Sequence, residues 1–185
     1  MNQTIRIIGG RYRGKKLHFP TLPGLRPTPD RVRETLFNWL MHDIRNARCL
    51  DAFSGSGALG FEAFSRGAST VTLLENNHVA FTNLNKIATA FHAPNLQVIK
   101  TDAITYFKQC QTQFDIIFLD PPFANNYLPS LLTDLATNPI LIQGGLVYVE
   151  LSDQAELTPP LCFEKIHVKK AGQVIYRLYR KSLIK

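Results

Sequence analysis

The chain is poor in cysteine, methionine and tryptophan: its 185 residues include three Cys, two Met and one Trp. Cys49, Cys110 and Cys162 are odd in number and far apart, with no CxxC and no HxxxH. Neither a disulfide framework nor a zinc site is indicated, and no metal is expected. No apolar run approaches the roughly 20 residues that a membrane helix needs, so no membrane association is expected. The opening residues MNQTIRIIGGRYRGKK lack the apolar stretch of a signal peptide. A reducing, cytoplasmic setting is the expectation. Charged residues are sparse, at 19% against 45% hydrophobic, which excludes global disorder and leaves enough apolar material for one packed domain.

Acidic residues are fewer than basic ones, giving a net charge of +7, and the imbalance is local. Residues 1–33 carry a balance of +7, residues 163–185 a balance of +6, and the middle a balance of −6. Basic ends around an acidic centre fit a polyanionic partner, nucleic acid first. The same pattern fits a merely solubilising surface.

Ile5-Arg6-Ile7-Ile8, Gly9-Gly10 and the run Arg11–Leu17 read as a small basic hairpin. The stretch Pro20–Pro29 reads as an extended connector. Thr28 suits a helix N-cap and Pro29 the first helical position. Val32, Leu36, Phe37, Leu40, Met41 and Ile44 then fall on one helical face, opposite Arg31, Glu34, Asn38 and Arg45. From Arg48 onward strands and helices alternate. Strands are expected at 48–53, 70–75, 96–101, 114–119 and 146–151, with helices at 58–66, 79–91, 104–110 and 128–135. Near-continuous apolar strands between helices argue for a parallel sheet covered on both faces. Residues 163–168 and 173–179 read as a closing antiparallel hairpin. The chain divides into a basic hairpin and connector over 1–27, expected to contact RNA, and a catalytic domain over 28–185.

Three features carry chemistry. Asp51-Ala-Phe-Ser-Gly55-Ser-Gly57-Ala-Leu-Gly60 closes a strand and opens a helix. Glycines there permit a tight turn and close approach to a ligand, and the helix start offers N–H groups. Glu75, 24 residues after Asp51, can accept hydrogen bonds from two ribose hydroxyls. That much suits NAD or S-adenosylmethionine (SAM) equally, and a turn without a ligand as well. Asp102 fits either an adenine amino group or a plain helix cap. The third feature, Asp120-Pro121-Pro122-Phe123, follows the apolar strand Ile116–Leu119. The prolines fix φ and remove backbone donors. The Asp120 carboxylate and the Pro121 carbonyl are then two acceptors beside the flat face of Phe123. Such a corner suits an exocyclic amino group on a planar base. Hydrogen bonds from both its N–H groups make the nitrogen more tetrahedral and aim its lone pair at a methyl sulfonium. A base inside a helix must first be flipped out.

These residues resemble a class I SAM-dependent methyltransferase acting on an exocyclic nitrogen. With Ile5-Arg-Ile-Ile-Gly-Gly, Gly24-Leu-Arg-Pro-Thr-x-Asp-Arg-Val-Arg-Glu-Thr-Leu-Phe-Asn-Trp-Leu40 and Ala171-Gly-Gln-Val-x-Tyr-Arg-Leu-Tyr179, nearly the whole chain is similar to the RsmD family. Members of that family methylate the N2 amino group of one guanine in bacterial 16S ribosomal RNA. The resemblance implies an α/β, Rossmann-like class I methyltransferase fold: a mostly parallel seven-stranded sheet with an antiparallel C-terminal hairpin and a small N-terminal β-hairpin. It implies SAM held by Asp51, Phe53, Ser54, Gly55, Gly57, Glu75, Asn76, Asp102, Ala103 and Asp120. Asp120, Pro121 and Phe123 become the catalytic residues, while Arg26 or Thr28 would touch the SAM carboxylate. The implied partner is 16S ribosomal RNA within the small subunit or its precursor, with ribosomal proteins nearby and the enzyme a monomer. Arg6, Arg11, Arg13, Lys15, Lys16, Lys169 and Lys170 are the expected RNA contacts, within basic ends extending to Lys185. Competing readings are a DNA adenine-N6 or cytosine-N4 methyltransferase, an NAD-dependent oxidoreductase, and a silent RNA-binding assembly factor.

Overall fold

A computed structural model describes residues 2–182; Lys185 lies outside them. The chain opens with an antiparallel hairpin, β1 (Asn2–Arg6) and β2 (Lys16–Pro20), followed by α1 (Asp30–Trp39). Alternation then gives β3 (Arg48–Asp51), α2 (Ala58–Ser65), β4 (Thr70–Leu74), α3 (His78–Thr89), β5 (Leu96–Ile99), α4 (Ala103–Gln109) and β6 (Phe114–Leu119). A single 3-10 turn at Phe123–Asn125, α5 (Leu128–Thr137), β7 (Leu141–Ser152), β8 (Phe163–Ala171) and β9 (Val174–Lys181) complete it. The main sheet has seven strands in the order β5-β4-β3-β6-β7-β9-β8. Strands β3 to β7 pair in parallel, and β9 enters antiparallel between β7 and β8. The order reverses between β3 and β6, and such a switch point opens a crevice at the strands' C-terminal ends.

Both faces of the sheet are covered. Along β6, Ile116 and Phe118 join one core with α1, α2 and α3, while Ile117 and Leu119 join another with α4 and α5. This is why β6 reads as an unbroken apolar run. The N-terminal hairpin adds Ile5, Ile7, Leu17 and Phe19 to the first core.

The hairpin is pinned by a buried polar knot. Glu62 of α2, wholly buried, accepts the N–H groups of Ile8 and Gly9 at 2.8 Å each. It also accepts Arg66 Nε at 2.7 Å and Arg33 Nη1 at 3.4 Å. Arg33, only 1% exposed, donates to the carbonyls of Thr28 at 3.1 Å and Arg6 at 3.0 Å, and pairs with Asp30. Lys181 is buried too: its ammonium donates to the carbonyls of Leu135, Asn138 and Leu141, tying the end of α5 to β7. Burial lowers its pKa.

Several local expectations need correction. Helix α1 starts at Asp30 with Pro29 at the cap position, because the Thr28 side chain is turned toward Asp120 instead. The helix stops at Trp39, so Met41 falls beyond the periodic face and is 62% exposed. Arg11–Lys15 form the loop between β1 and β2, not a strand. Asn77 and Gly67 take their expected places, the first capping α3 through Val79 N–H and Ala80 N–H, the second following α2 with φ of 96°.

Candidate active site

A cavity of about 960 Å³ lies at the C-terminal ends of the central strands, under the connector Leu22–Pro29. Its walls are built from strand ends. Asp51 ends β3, Glu75 follows β4, Asp120 follows β6, and Glu150 lies two residues before the end of β7. Four carboxyl groups therefore converge where the strand order reverses.

On one side, the glycine turn is shaped by packing. Gly57 caps α2 with φ of 79°, and a Cβ there would sit 2.3 Å from Phe61. At Gly60 a Cβ would come within 2.8 Å of Leu73, so only glycine lets α2 approach β4 this closely. The Gly60 N–H donates to Asp51 Oδ2 at 2.9 Å. Burial pushes Asp51 up to about 7, against the N–H groups of Gly60 and Phe53 that hold it down. Glu75 accepts Gly55 N–H at 2.9 Å and Asn77 N–H at 2.7 Å. A carboxylate has about four acceptor positions, so Glu75 keeps capacity for two hydroxyl donors. Asp102 caps α4 through Thr105 N–H at 2.8 Å, and that contact holds its carboxyl below the usual range. Asp102 is therefore the helix cap, and it also lines the cavity with Ala103.

On the other side stands Asp120. Its Oδ2 lies 3.4 Å from the Thr28 hydroxyl, which donates to it across the mouth of the connector. Burial drives its carboxyl well above the ordinary range, with Glu150 and Asp51 adding to the rise. Pro121 is buried, whereas the Phe123 ring is 48% exposed and lines the cavity. A large aromatic held open on a cavity wall offers a flat apolar face there instead of filling the core. The 3-10 turn begins with Asn125 N–H on the Pro122 carbonyl at 3.2 Å, one residue beyond the Pro121 carbonyl.

The residues present fit a SAM-sized ligand in shape and charge: a glycine turn beside a helix start, a carboxylate with spare acceptors, and an acidic wall that favours a cation. The family model described as conserved hypothetical protein 95 matches residues 5–180. The chain is 46% identical over 179 residues to ribosomal RNA small subunit methyltransferase D of Escherichia coli strain K12, covering 96% of this chain and 90% of that protein. The chain belongs to the RsmD family. A second family member of the same name, from Haemophilus influenzae, is 43% identical over 180 residues, covering 95% of this chain and 93% of that protein. A solved Escherichia coli structure assigned as a methyltransferase matches with a TM-score of 0.88 and 45% identity, over 97% of this chain and 99% of that one.

The cofactor and catalytic residues expected in this RsmD family member meet in one cavity: Asp51 to Gly55, Glu75, Asn76, Asp102, Ala103 and Asp120 to Phe123 all line it. Gly57 stands behind this wall as the cap of α2. Arg26 and Thr28 line the same cavity. The expected RNA contacts do not form one group. The Arg11 N–H and Tyr12 N–H bond to Ser65, at the far end of α2. Eight helical residues span about 12 Å, so the loop with Arg11, Arg13 and Lys15 lies at the opposite end of the sheet from the cavity. There Arg11 stacks over Tyr12 and Lys15 over Phe91. Arg6 and Lys16 pair at the base of that loop. Lys169 and Lys170, in contrast, lie at the cavity end of the outermost strand β8, and Lys170 pairs with Asp153 at 2.8 Å. Lys181 is buried and lost to any surface role.

Sequence reasoning missed Glu150, Tyr148 and the knot of Arg33 and Glu62. Glu150 had a signal: like Asp51, Glu75 and Asp120, it is an acidic residue at the end of an apolar strand run.

Proposed function

We propose that this chain transfers a methyl group from SAM to the exocyclic N2 amino group of a guanine in 16S ribosomal RNA. The observation that carries this reading is the pairing of Asp120 with an exposed Phe123 on one wall of the cavity, opposite the glycine turn and Glu75. SAM, when bound, supplies a methyl group on a positively charged sulfur, already activated for attack.

The chain's own residues do the rest by alignment. Glu75 and Asp102 hold the nucleoside end, and Asp51 to Gly57 hold the amino-acid end. Phe123 stacks the flipped base, worth about 1–3 kcal/mol. Asp120 and the Pro121 carbonyl accept the two N–H groups of the amine and aim its lone pair. Alignment of this kind contributes roughly 7–11 kcal/mol.

RNA is held at two places, by Lys169 and Lys170 beside the cavity and by Arg11, Arg13 and Lys15 at the far end. The segment 1–27 acts as the outer RNA contact and 28–185 as the catalytic domain. The substrate is the small subunit or its precursor, with ribosomal proteins adjoining a monomeric enzyme. Among the described residues no helix is long and apolar enough to cross a membrane.

The test is methyl transfer from labelled SAM into small subunits lacking the modification, into free 16S RNA and into duplex DNA, with the product nucleotide mapped. N2-methylguanine in the subunit RNA is expected, and Asp120→Ala should abolish it while leaving SAM affinity intact. Incorporation into duplex DNA, or near-normal turnover by Asp120→Ala, overturns the reading.

A further inference from the structure

Glu150 is a buried carboxyl, 5% exposed, on the wall of the cavity. A carboxyl kept out of water is costly unless its acceptor positions are used. Its Oε1 accepts the Tyr148 hydroxyl at 2.8 Å, from two residues earlier on β7. A carboxylate has about four acceptor positions, so this hydroxyl leaves room for a ligand donor.

Strand register gives Glu150 its neighbour. Phe118 pairs with Tyr148 and Leu119 with Val149; one residue further on, Asp120 stands beside Glu150. Neighbouring strands lie about 4.8 Å apart, a gap that the edge of one base spans. Strand order adds a direction. β6 lies between β7 and β3, and β3 ends in Asp51 at the glycine turn. Glu150 is therefore on the side of Asp120 away from that turn. An exocyclic amine held at Asp120 and turned toward the cofactor leaves the rest of its base edge on the β7 side.

The chemistry of that edge differs between bases. Beside the 2-amino group of guanine stands N1, which carries a hydrogen; the other neighbour, N3, lies on the sugar side. Beside the amino groups of adenine and cytosine the corresponding ring nitrogen carries a lone pair. We propose that Glu150 is the specificity-determining residue for the target base: it accepts guanine N1–H while Asp120 and the Pro121 carbonyl accept the two N–H groups of the amine. The inference rests on the methyltransferase reading above and names what selects guanine at that site. Guanine brings three donors to this acidic corner, whereas adenine and cytosine bring two donors and a lone pair that faces a carboxylate. Burial raises both carboxyl groups, and Glu150 adds to the rise at Asp120. Three donors offset that penalty, and a lone pair adds to it. A flipped base is read along this edge, and a site built around an N–H rejects a base lacking it because the buried acceptor is left unpaired. Glu150 touches the base but none of the atoms that exchange the methyl group.

The experiment compares kcat/KM on small subunits carrying guanine or 2-aminopurine at the target position, for wild type and Glu150→Gln, with SAM affinity and melting temperature followed in parallel. 2-Aminopurine keeps the 2-amino group and bears a lone pair at N1. Wild type should prefer guanine by about 10- to 100-fold. The glutamine amide can donate to that lone pair, so Glu150→Gln should slow transfer to guanine and narrow the preference about tenfold or more. Any difference in intrinsic reactivity between the two amines is common to both enzymes and cancels in this comparison. An equal loss on both bases, with the preference kept, would mean that Glu150 only supports the fold, and overturns the inference. So does a wild type that uses both bases equally, a result that does not require the variant to fold. A wild type inactive on guanine-containing subunits instead sinks the methyltransferase reading, and this inference with it.

Discussion

Arg33→Met is the sharpest test of how the hairpin and the active site are joined. Arg33 is fully buried and donates to Glu62, Asp30 and the carbonyls of Arg6 and Thr28. Methionine fills similar space without charge or donors. Removing one partner of a buried ion pair costs about 3–5 kcal/mol. Glu62 keeps Arg66 and two backbone N–H groups, which pulls the figure to the lower end. Two carbonyls that lose a donor add about 1 kcal/mol. The sum, about 4 kcal/mol, corresponds to a melting-temperature drop of about 8–16 °C for a domain of this size. Differential scanning calorimetry reads it. The same change frees the Thr28 main chain, whose side chain bonds to Asp120, so kcat should fall well below the folding transition while SAM affinity changes little. Arg33→Lys keeps charge but not the forked geometry and should fall between. A drop under about 3 °C with normal kcat would show that the knot carries neither load.

Three further outcomes follow from other groups. Asp51, raised to about 7 by burial, holds more protons folded than unfolded between its ordinary value and 7. Its stabilising contribution is therefore full in acid, shrinks as pH rises through that window and is flat above it. Melting curves of wild type against Asp51→Asn should show a difference that changes across this window by a few kcal/mol at most; a constant difference contradicts the assignment. Phe123→Ala should raise the KM for RNA while Phe123→Tyr and Phe123→Trp retain more activity; identical behaviour of all three removes the stacking role. The double variant Arg11→Glu with Arg13→Glu should weaken RNA methylation without altering SAM binding by calorimetry, and an equal loss of both would mean the loop acts only through folding.

The alternation of elements, the seven-strand sheet and the closing hairpin are legible in the chain because parallel strands buried on both faces leave continuous apolar runs, as at Phe114–Leu119. The glycine turn and Asp120 to Phe123 are legible because each is short in sequence and sits where a strand ends. What was hidden is long-range. Arg33 stands among Arg31 and Glu34 on a helix read as half solvated, and nothing local distinguishes the arginine that meets Glu62 twenty-nine residues later. Thr28 looks like an N-cap, and its actual partner is ninety-two residues away. Lys181 belongs by composition to a basic tail, yet α5 and β7 close over it with three carbonyls. Charge counting also could not separate Lys169 and Lys170, near the cavity, from Arg11 and Arg13, at the other end.

Those hidden contacts share a direction. The Arg6 carbonyl, on the last residue of β1, and the Thr28 carbonyl, at the cavity mouth, are both held by the single guanidinium of Arg33. Glu62 fixes Ile8 and Gly9 to α2, whose opposite end forms the glycine turn. A displacement of the basic loop must therefore either break buried charge-assisted bonds or carry α2 and Thr28 with it. The loop of Arg11 and Arg13, proposed above as an RNA contact, is thus connected through these bonds to the Thr28 hydroxyl beside Asp120, although the loop and the carboxyl lie at opposite ends of the sheet. Disconnecting the two by Arg33→Met should leave RNA affinity largely in place and lower kcat, whereas charge reversal in the loop should do the converse. Fluorescence anisotropy on the subunit RNA beside single-turnover rates distinguishes them, and parallel loss of both quantities in both variants would remove the connection.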